Sequence, residues 1–134
     1  MMIERREYLE DLISFKDKNL IKVVTGIRRC GKSTMFELYQ AYLEENGVNR
    51  TQMVAVNLED GDYRHIRNSE QLYEYVDERL DRERMNYVFL DEVQQVENFQ
   101  EAVDWLYAKN YVDLYITGSN AFLLSGELAT LLSG

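Results

Sequence analysis

The most constraining feature of the sequence is a glycine-rich segment that reads GIRRCGKS over residues 26–33. It matches G-x-x-x-x-G-K-[ST] at every fixed position, with a strand-type apolar run before it and helix-type periodicity after it. Glycines in this pattern let successive backbone N–H groups converge on an anion where a Cβ would intrude, and the N-terminus of the following helix favours negative charge. The segment therefore predicts a phosphate-binding loop between a buried strand and a helix.

Three side chains at the end of this segment are predicted to carry most of the ligand chemistry. Lys32 supplies a point charge to the β- and γ-phosphates, the Ser33 hydroxyl ligates Mg²⁺, and Thr34 contacts the α-phosphate. The variable positions of the loop could add phosphate or partner contacts, but we favour the simpler interpretation that the loop uses only their backbone. The full predicted nucleotide-binding set is Gly26, Arg28, Arg29, Cys30, Gly31, Lys32, Ser33 and Thr34.

Short apolar runs rich in Val, Ile, Tyr and Phe alternate with helix-type periodicity along the chain. The runs predict strands over residues 21–25, 53–58, 87–90 and 112–117. Their nearly continuous apolar character indicates burial on both faces, as in a parallel sheet that is covered by helices. The alternation predicts a three-layer α/β/α sandwich with a mainly parallel sheet, in one domain over residues 1–134.

Apolar stripes at helical spacing mark the helices that flank these strands. Gly47 stands where a C-terminal cap belongs, and Asn98 with Glu101 three residues later is typical of a capping box. The stripes are Leu9, Leu12 and Ile13 before the first strand, Met35, Leu38, Tyr39, Tyr42 and Leu43 after it, then Leu72, Val76 and Leu80, and finally Phe99, Ala102, Val103, Leu106 and Tyr107.

A second motif ends the third predicted strand, where YVFLDE over residues 87–92 places two adjacent carboxylates. We expect Asp91 to hold Mg²⁺ through water and Glu92 to polarise the attacking water as general base. A kinase would not need a water-activating carboxylate beside its metal-binding Asp, so the pair favours nucleotide hydrolysis over phosphoryl transfer to another substrate. The alternative interpretation is a strand end that turns into a solvated acidic loop.

Three segments together resemble a known family. LIKVVTGIRRCGKST, YVFLDEVQ and DLYITGSNAFLLSGELATLLSG are similar to bacterial and archaeal AAA-type P-loop ATPases that carry an RRCGKS-like Walker A motif. The resemblance implies ATP as the nucleotide, Mg²⁺ as its cofactor, Asp91 and Glu92 as the Walker B pair, and ATP hydrolysis in the full-length protein. A nucleotide-sensing switch that binds ATP with little hydrolysis is the alternative function.

The resemblance also implies two polar positions at strand ends. ATPases of this type place a strand between the phosphate-loop strand and the Walker B strand, and a polar residue at its tip can orient the lytic water. Asn120 is our candidate for this catalytic role, with Ser119 and Thr117 as substitutes, although a Ser/Asn helix cap explains the same residues about as well. Asn57 falls where related ATPases hold a polar partner of the catalytic Glu, but a turn residue is the commoner role there.

In this family the chain continues past LSG with an arginine, another core strand and a C-terminal region. The resemblance therefore implies an incomplete ATPase core over residues 1–134 that lacks its fifth strand. With strand order 5-1-4-3-2, the strand over residues 21–25 would lie on an exposed edge, and an unpaired apolar edge invites association. We expect the isolated chain to self-associate, and we leave its own hydrolytic activity open.

Charge and cysteine content narrow the partners and the compartment. The net charge of −9 argues against a broad nucleic-acid-coating surface, because phosphate neutralisation needs clustered cations. Cys30, the one cysteine, cannot form an internal disulfide, and the longest apolar runs are far shorter than the ~20 residues of a membrane span. We therefore expect a cytoplasmic protein that binds a nucleotide and no membrane.

Overall fold

A computed structural model describes residues 9–10, 12–18, 20–24, 32–118 and 130–131 of the chain. The elements in chain order are a helical segment α1 at residues 9–10 and 12–14, β1 (Lys22–Val24), α2 (Lys32–Glu45), β2 (Met53–Asn57), α3 (Ser69–Asp77), β3 (Asn86–Asp91), α4 (Phe99–Tyr107), β4 (Val112–Thr117) and β5 (Thr130–Leu131). Within these ranges, no helix combines the length and the apolar character that crossing a membrane requires.

The strands form one parallel sheet in the order β2-β3-β4-β1-β5. All four strands predicted from the apolar runs are present, with small shifts at their ends. The order is the one that the family resemblance implies, and β4 lies between β1 and β3 as expected. The predicted α/β architecture with a parallel sheet is confirmed.

The expectation that β1 lies on an open edge is wrong. Lys22 pairs in parallel with Thr130, and Val23 pairs with Leu131, so the short strand β5 covers this side of β1. The sequence around β5 has helix-type apolar spacing, but the backbone of β1 offers it a ladder of donors and acceptors, and pairing satisfies them. Self-association of the chain stays a prediction, without the open edge as its reason.

Two apolar layers cover the two faces of the sheet, because successive residues of a strand point to opposite sides. Helices α3 and α4 lie on one face, and α2 lies on the other together with Leu12 of α1. The first layer includes Val23, Val54, Val56, Val88, Leu90, Leu114, Ile116, Leu72, Val76, Phe99, Val103 and Leu106. The second layer includes Leu12, Val24, Phe36, Tyr39, Leu43, Tyr87, Phe89 and Tyr115.

The end of α2 follows the prediction, while one member of its stripe does not. Gly47 has a φ of +96°, and the N–H of Val48 donates to the carbonyl oxygen of Leu43 at 3.0 Å, which closes the helix as a glycine cap does. Leu38 was expected in the buried stripe, but 40% of it is exposed. Its neighbours in the stripe pack in the buried layer, whereas Leu38 lies at the boundary with solvent.

The predicted capping box at the start of α4 is wrong. Asn98 has φ 58° and ψ 38° and makes no side-chain cap hydrogen bond, whereas a capping residue typically has an extended backbone. The Glu101 carboxylate instead accepts a hydrogen bond from the Ser69 hydroxyl at 2.8 Å. The acidic residue therefore ties α4 to the start of α3, which is a contact between elements that local spacing does not reveal.

A buried polar network joins β1, β4 and the segment that precedes β1. The Lys22 ammonium is fully buried, forms an ion pair with the Asp113 carboxylate and donates to the carbonyl oxygen of Lys18 at 2.6 Å. The second Asp113 oxygen accepts from the backbone N–H of Asp17 at 2.8 Å and from the Tyr115 hydroxyl at 2.7 Å. Burial raises the pKa of Asp113, and the Lys22 ammonium opposes that rise. The network gives each buried charge a partner.

Three tyrosines around this network are expected to make the fold sensitive to alkaline pH. Burial raises the pKa of the Tyr39, Tyr87 and Tyr115 hydroxyls above that of free tyrosine. The unfolded chain releases these protons near pH ~10 and the folded chain holds them, so the free energy of unfolding is retained below that pH and falls above it. We expect these three hydroxyls to ionise only as the chain unfolds, in a phenolate absorbance titration followed together with circular dichroism. Ionisation of all ten tyrosines in a fold that stays intact would contradict this.

Candidate functional site

The carboxyl ends of three adjacent strands meet at one edge of the sheet. Strand β3 ends at Asp91, β4 ends at Thr117, and Val24 at the end of β1 pairs in register with Thr117. Helix α2 begins at Lys32, so residues 25–31 run from this edge to the N-terminus of α2. The topology therefore brings the acidic end of β3 to the edge at which β1 ends, and the glycine-rich sequence follows β1 in the chain.

Asp91 is a buried carboxylate that is held by its neighbour on β4. All six residues of β3 are buried, and Asp91 is 5% exposed. The Thr117 hydroxyl is fully buried and donates a hydrogen bond to Oδ1 of Asp91. The backbone carbonyl of Asp91 accepts from the N–H of Leu58 at 2.9 Å. The apolar run before Asp91 thus carries its carboxylate into a fixed position at the sheet edge.

Glu92 has a backbone conformation that non-glycine residues rarely adopt. Its φ of 59° and ψ of 54° lie in the left-handed region, which costs roughly 1–2 kcal/mol for a residue with a Cβ. The N–H of Glu92 donates to Oγ1 of Thr117 at 2.9 Å, and Oε1 of Glu92 accepts from the side-chain amide of Gln94 at 2.8 Å. Strain of this kind is concentrated at functional sites, where surrounding contacts maintain it.

Asn57 has the structural role that its position favours. It ends β2 and pairs in register with Asp91, and its side-chain oxygen accepts from the N–H of Glu59 at 3.1 Å. This contact stabilises the turn after β2. A cavity of about 280 Å³ opens beside Asp91, between α2 and β2, with Phe36, Gln40 and Asn57 in its wall.

Several predicted site residues cannot be compared with the structure. Gly26, Arg28, Arg29, Cys30, Gly31, Ser119 and Asn120 lie outside the described residues. Lys32, Ser33 and Thr34 are described as the first turn of α2. The predicted context of the phosphate-binding segment, a strand before it and a helix that begins at its lysine, is present.

A family model described as an AAA domain matches residues 18–134. The chain belongs to the AAA domain family. The match extends from the segment before β1 through β5, so it includes the glycine-rich segment, Asp91, Glu92 and Thr117.

Two relatives of this AAA domain are uncharacterized proteins from distant organisms. One, from Haemophilus influenzae, is 42% identical over 134 residues, which are 99% of this chain and 34% of the relative. The other, from Methanocaldococcus jannaschii, is 32% identical over 117 residues, which are 87% of this chain and 25% of the relative. The AAA domain thus spans about a third or less of the length of each relative.

Two solved structures share the fold of this AAA domain. A chain in the structure of Drosophila ORC bound to DNA superposes with a TM-score of 0.57 and 14% identity, over 94% of this chain and 83% of that one. The structure of C. elegans PCH-2 gives a TM-score of 0.52 and 16% identity, over 96% of this chain and 39% of that one. At these identities the similarity establishes the α/β architecture.

The donor chemistry at the sheet edge of the AAA domain fits Mg²⁺. This cation takes oxygen ligands and keeps waters and substrate phosphates around it, with one or two protein carboxylates. Asp91 supplies one such buried oxygen donor. Across the described part of the chain, no group of three or more His, Cys, Asp and Glu side chains could hold a metal by itself. Asp91 is therefore the kind of donor that such a cation takes from a protein.

Sequence reasoning missed how two residues of the AAA domain contact the acidic pair. The sequence indicates Thr117 only as a substitute for Asn120, and no motif points to Gln94. Thr117 is the last residue of β4, and Gln94 lies two residues beyond the second carboxylate, so polar side chains at these two positions are the signal that could have found them. Their hydrogen bonds to Asp91 and Glu92 depend on the pairing of β3 with β4 and on the turn after β3.

Proposed function

We propose that this AAA domain binds ATP with Mg²⁺ and hydrolyses it, in the cytoplasm. The observation that carries the proposal is the pair Asp91 and Glu92, anchored by Thr117 at the edge where β1 leads into the GIRRCGKS segment and α2. The family match and the strand order support the same conclusion. One carboxylate for the metal and one for the attacking water, beside a phosphate-binding loop, suit hydrolysis of the phosphoanhydride bond of a nucleotide.

Each residue has a distinct role in this proposal. The backbone of residues 26–31 and the Lys32 ammonium bind the phosphates, and the Ser33 hydroxyl and Asp91 hold Mg²⁺, directly and through water respectively. Mg²⁺, when bound, neutralises the charge that develops on the β- and γ-phosphate oxygens. Glu92 accepts a proton from the water that attacks the γ-phosphorus, the bond from that phosphorus to the oxygen shared with the β-phosphate breaks, and ADP leaves; Asn120 orients the water.

The geometry of Glu92 favours water as the acceptor of the phosphoryl group. Its strained backbone is locked by Thr117, and one of its carboxylate oxygens is oriented by Gln94. A carboxylate that is held beside the metal-binding Asp91 can deprotonate a water in the same site, whereas transfer to a second substrate would need a separate acceptor site. Transfer of labelled γ-phosphate to an acceptor other than water would contradict hydrolysis as the main reaction.

The alternative function, a switch that senses ATP with little hydrolysis, is favoured by one contact. The Gln94 amide donates to Oε1 of Glu92, so the proposed base already has a hydrogen-bond partner in the protein. If this contact persists with ATP bound, Glu92 is a weaker base for water. Tight Mg²⁺-dependent ATP binding with very slow turnover would select this alternative.

The proposal is tested by replacing Lys32. Removing one partner of a charge-assisted contact typically costs about 2–5 kcal/mol, so Lys32→Ala is expected to weaken ATP binding by a factor between about 30 and about 4,000. The measurement is the Kd of Mg·ATP by isothermal titration calorimetry. Lys16→Ala is the matched control, because Lys16 forms an ion pair with its sequence neighbour Asp17 and has no assigned role in phosphate binding. Equal affinities of the wild type and the Lys32 variant would exclude the proposed phosphate site.

A further inference from the structure

One hydroxyl contacts both halves of the acidic pair. Oγ1 of Thr117 donates to Oδ1 of Asp91 and accepts from the backbone N–H of Glu92 at 2.9 Å. Thr117 is 0% exposed, so its hydroxyl is held inside the sheet edge and is not presented to solvent. A single side chain on β4 therefore fixes the carboxylate of one residue and the backbone of the next.

The Thr117 hydroxyl lies where the β3–β4 ladder ends, and this position explains its role. The β3–β4 ladder pairs Leu90 with Ile116, so Asp91 and Thr117 stand at the next step, where the regular pairing of the two strands stops. Glu92 then turns into the left-handed region. Without Thr117 its N–H would lose the Oγ1 acceptor, and an unsatisfied polar group near the protein interior is costly. The hydroxyl thus takes the place of a backbone partner beyond the end of the ladder.

We propose that Thr117 is a positioning residue that couples the metal-binding carboxylate to the general base. The inference rests on the proposed ATP hydrolysis and assigns Thr117 no contact with ATP. Its donor contact sets the orientation of the Asp91 carboxylate, and its acceptor contact maintains the backbone turn from which Glu92 extends. Loss of the hydroxyl consequently disturbs Asp91 and Glu92 together, although neither residue is itself replaced.

The test compares Thr117→Val, which keeps the branched shape and loses the hydroxyl, with Thr117→Ser, which keeps the hydroxyl. Because small misplacements of reacting groups cost about 10²-fold in rate, we expect Thr117→Val to lower kcat by about that factor, with a much smaller change in KM. ATP affinity in EDTA should be unchanged, and the gain in affinity on adding Mg²⁺ should shrink. Thr117→Ser should restore kcat and the Mg²⁺ dependence towards wild type.

A second measurement reports on the contact without turnover. Hydrogen exchange at the Glu92 amide, followed by NMR, is expected to be slow in the wild type and in Thr117→Ser and fast in Thr117→Val. If Thr117→Val does not fold, slow exchange in the wild type and the activity of the serine variant still test the proposal. Fast exchange at Glu92 in the folded wild type would overturn it.

The outcomes separate this inference from the proposed function. A wild-type protein that binds no ATP contradicts the proposed function, while the exchange rates still test the Thr117 contacts. A wild type that hydrolyses ATP, with Thr117→Val equal to it in kcat and Mg²⁺ dependence, overturns the inference alone. A serine variant as impaired as the valine variant would also overturn it, because the hydroxyl would then not be the group that acts.

Discussion

Replacing Glu92 by glutamine is expected to lower kcat for ATP hydrolysis by about 10²–10⁴-fold, the range for loss of a general base. Glutamine keeps the size of the side chain and its acceptor oxygen, so the contact from Gln94 can be retained, but it cannot take a proton from water. Binding of Mg·ATP should change little, because the phosphates are held by other groups. The variant is therefore expected to retain ATP where the wild type releases ADP.

The measurement combines steady-state phosphate release with the identity of the nucleotide that stays bound to the protein. Glu59→Gln is a matched control, since Glu59 is an exposed carboxylate just beyond β2 and has no assigned role in the reaction. Its kcat should equal that of the wild type. Turnover by Glu92→Gln at the wild-type rate, in a protein that binds ATP normally, would remove Glu92 from the role of base.

The parts of the site that the sequence predicts well depend on local patterns. The YVFL run before Asp91 is buried on both faces, as its uninterrupted apolar character indicates, and this burial fixes the carboxylate at the strand end. The start of α2 at Lys32 follows from the glycine-rich pattern together with the periodic stripe behind it. Strand identity and helix identity are readable because each element buries enough apolar surface to define its own period.

The features that were predicted wrongly depend on contacts between elements that are distant in the sequence. Strand β5 forms where the backbone of β1 offers a partner, although its own sequence has helical spacing. Glu101 bonds to Ser69 of α3 and not to its own helix N-terminus. Thr117 contacts Asp91 only because β3 and β4 are neighbours in the sheet. Tertiary pairing overrides local preference at β5 and Glu101 and adds an unpredicted contact at Thr117, and local patterns in the sequence do not reveal such pairing.

A large effect on stability is expected at the opposite edge of the sheet, where β1 and β4 begin and Lys22 and Asp113 form a buried ion pair. The exposed fractions of their side chains are 0% and 1%. Replacing Lys22 by methionine keeps the apolar length of the side chain and leaves the Asp113 carboxylate buried without its cation. Breaking a buried pair in this way costs about 3–5 kcal/mol, a large share of the ~5–15 kcal/mol that stabilises a typical domain.

We expect Lys22→Met to lower the free energy of unfolding by this amount in urea denaturation, and to lower Tm by roughly 10–20 °C. Arg50→Met is the matched control, since Arg50 pairs with Glu44 at 2.7 Å but has a side chain that is 81% exposed. Such exposed pairs contribute about 0–1 kcal/mol, so the control should unfold close to wild type. Equal losses in the two variants would contradict a special role for the buried pair.

The pH dependence of the stability lost in Lys22→Met distinguishes an unpaired buried charge from poor packing as the cause of that loss. Burial raises the pKa of Asp113 in the folded chain, and the Lys22 ammonium opposes that rise in the wild type. Without Lys22 the folded chain binds this proton more tightly than the unfolded chain does, so the variant recovers stability as the pH falls through the raised pKa of Asp113. The difference in the free energy of unfolding between Lys22→Met and the wild type should therefore become smaller towards acid pH. A loss of stability caused by packing alone would not change with pH.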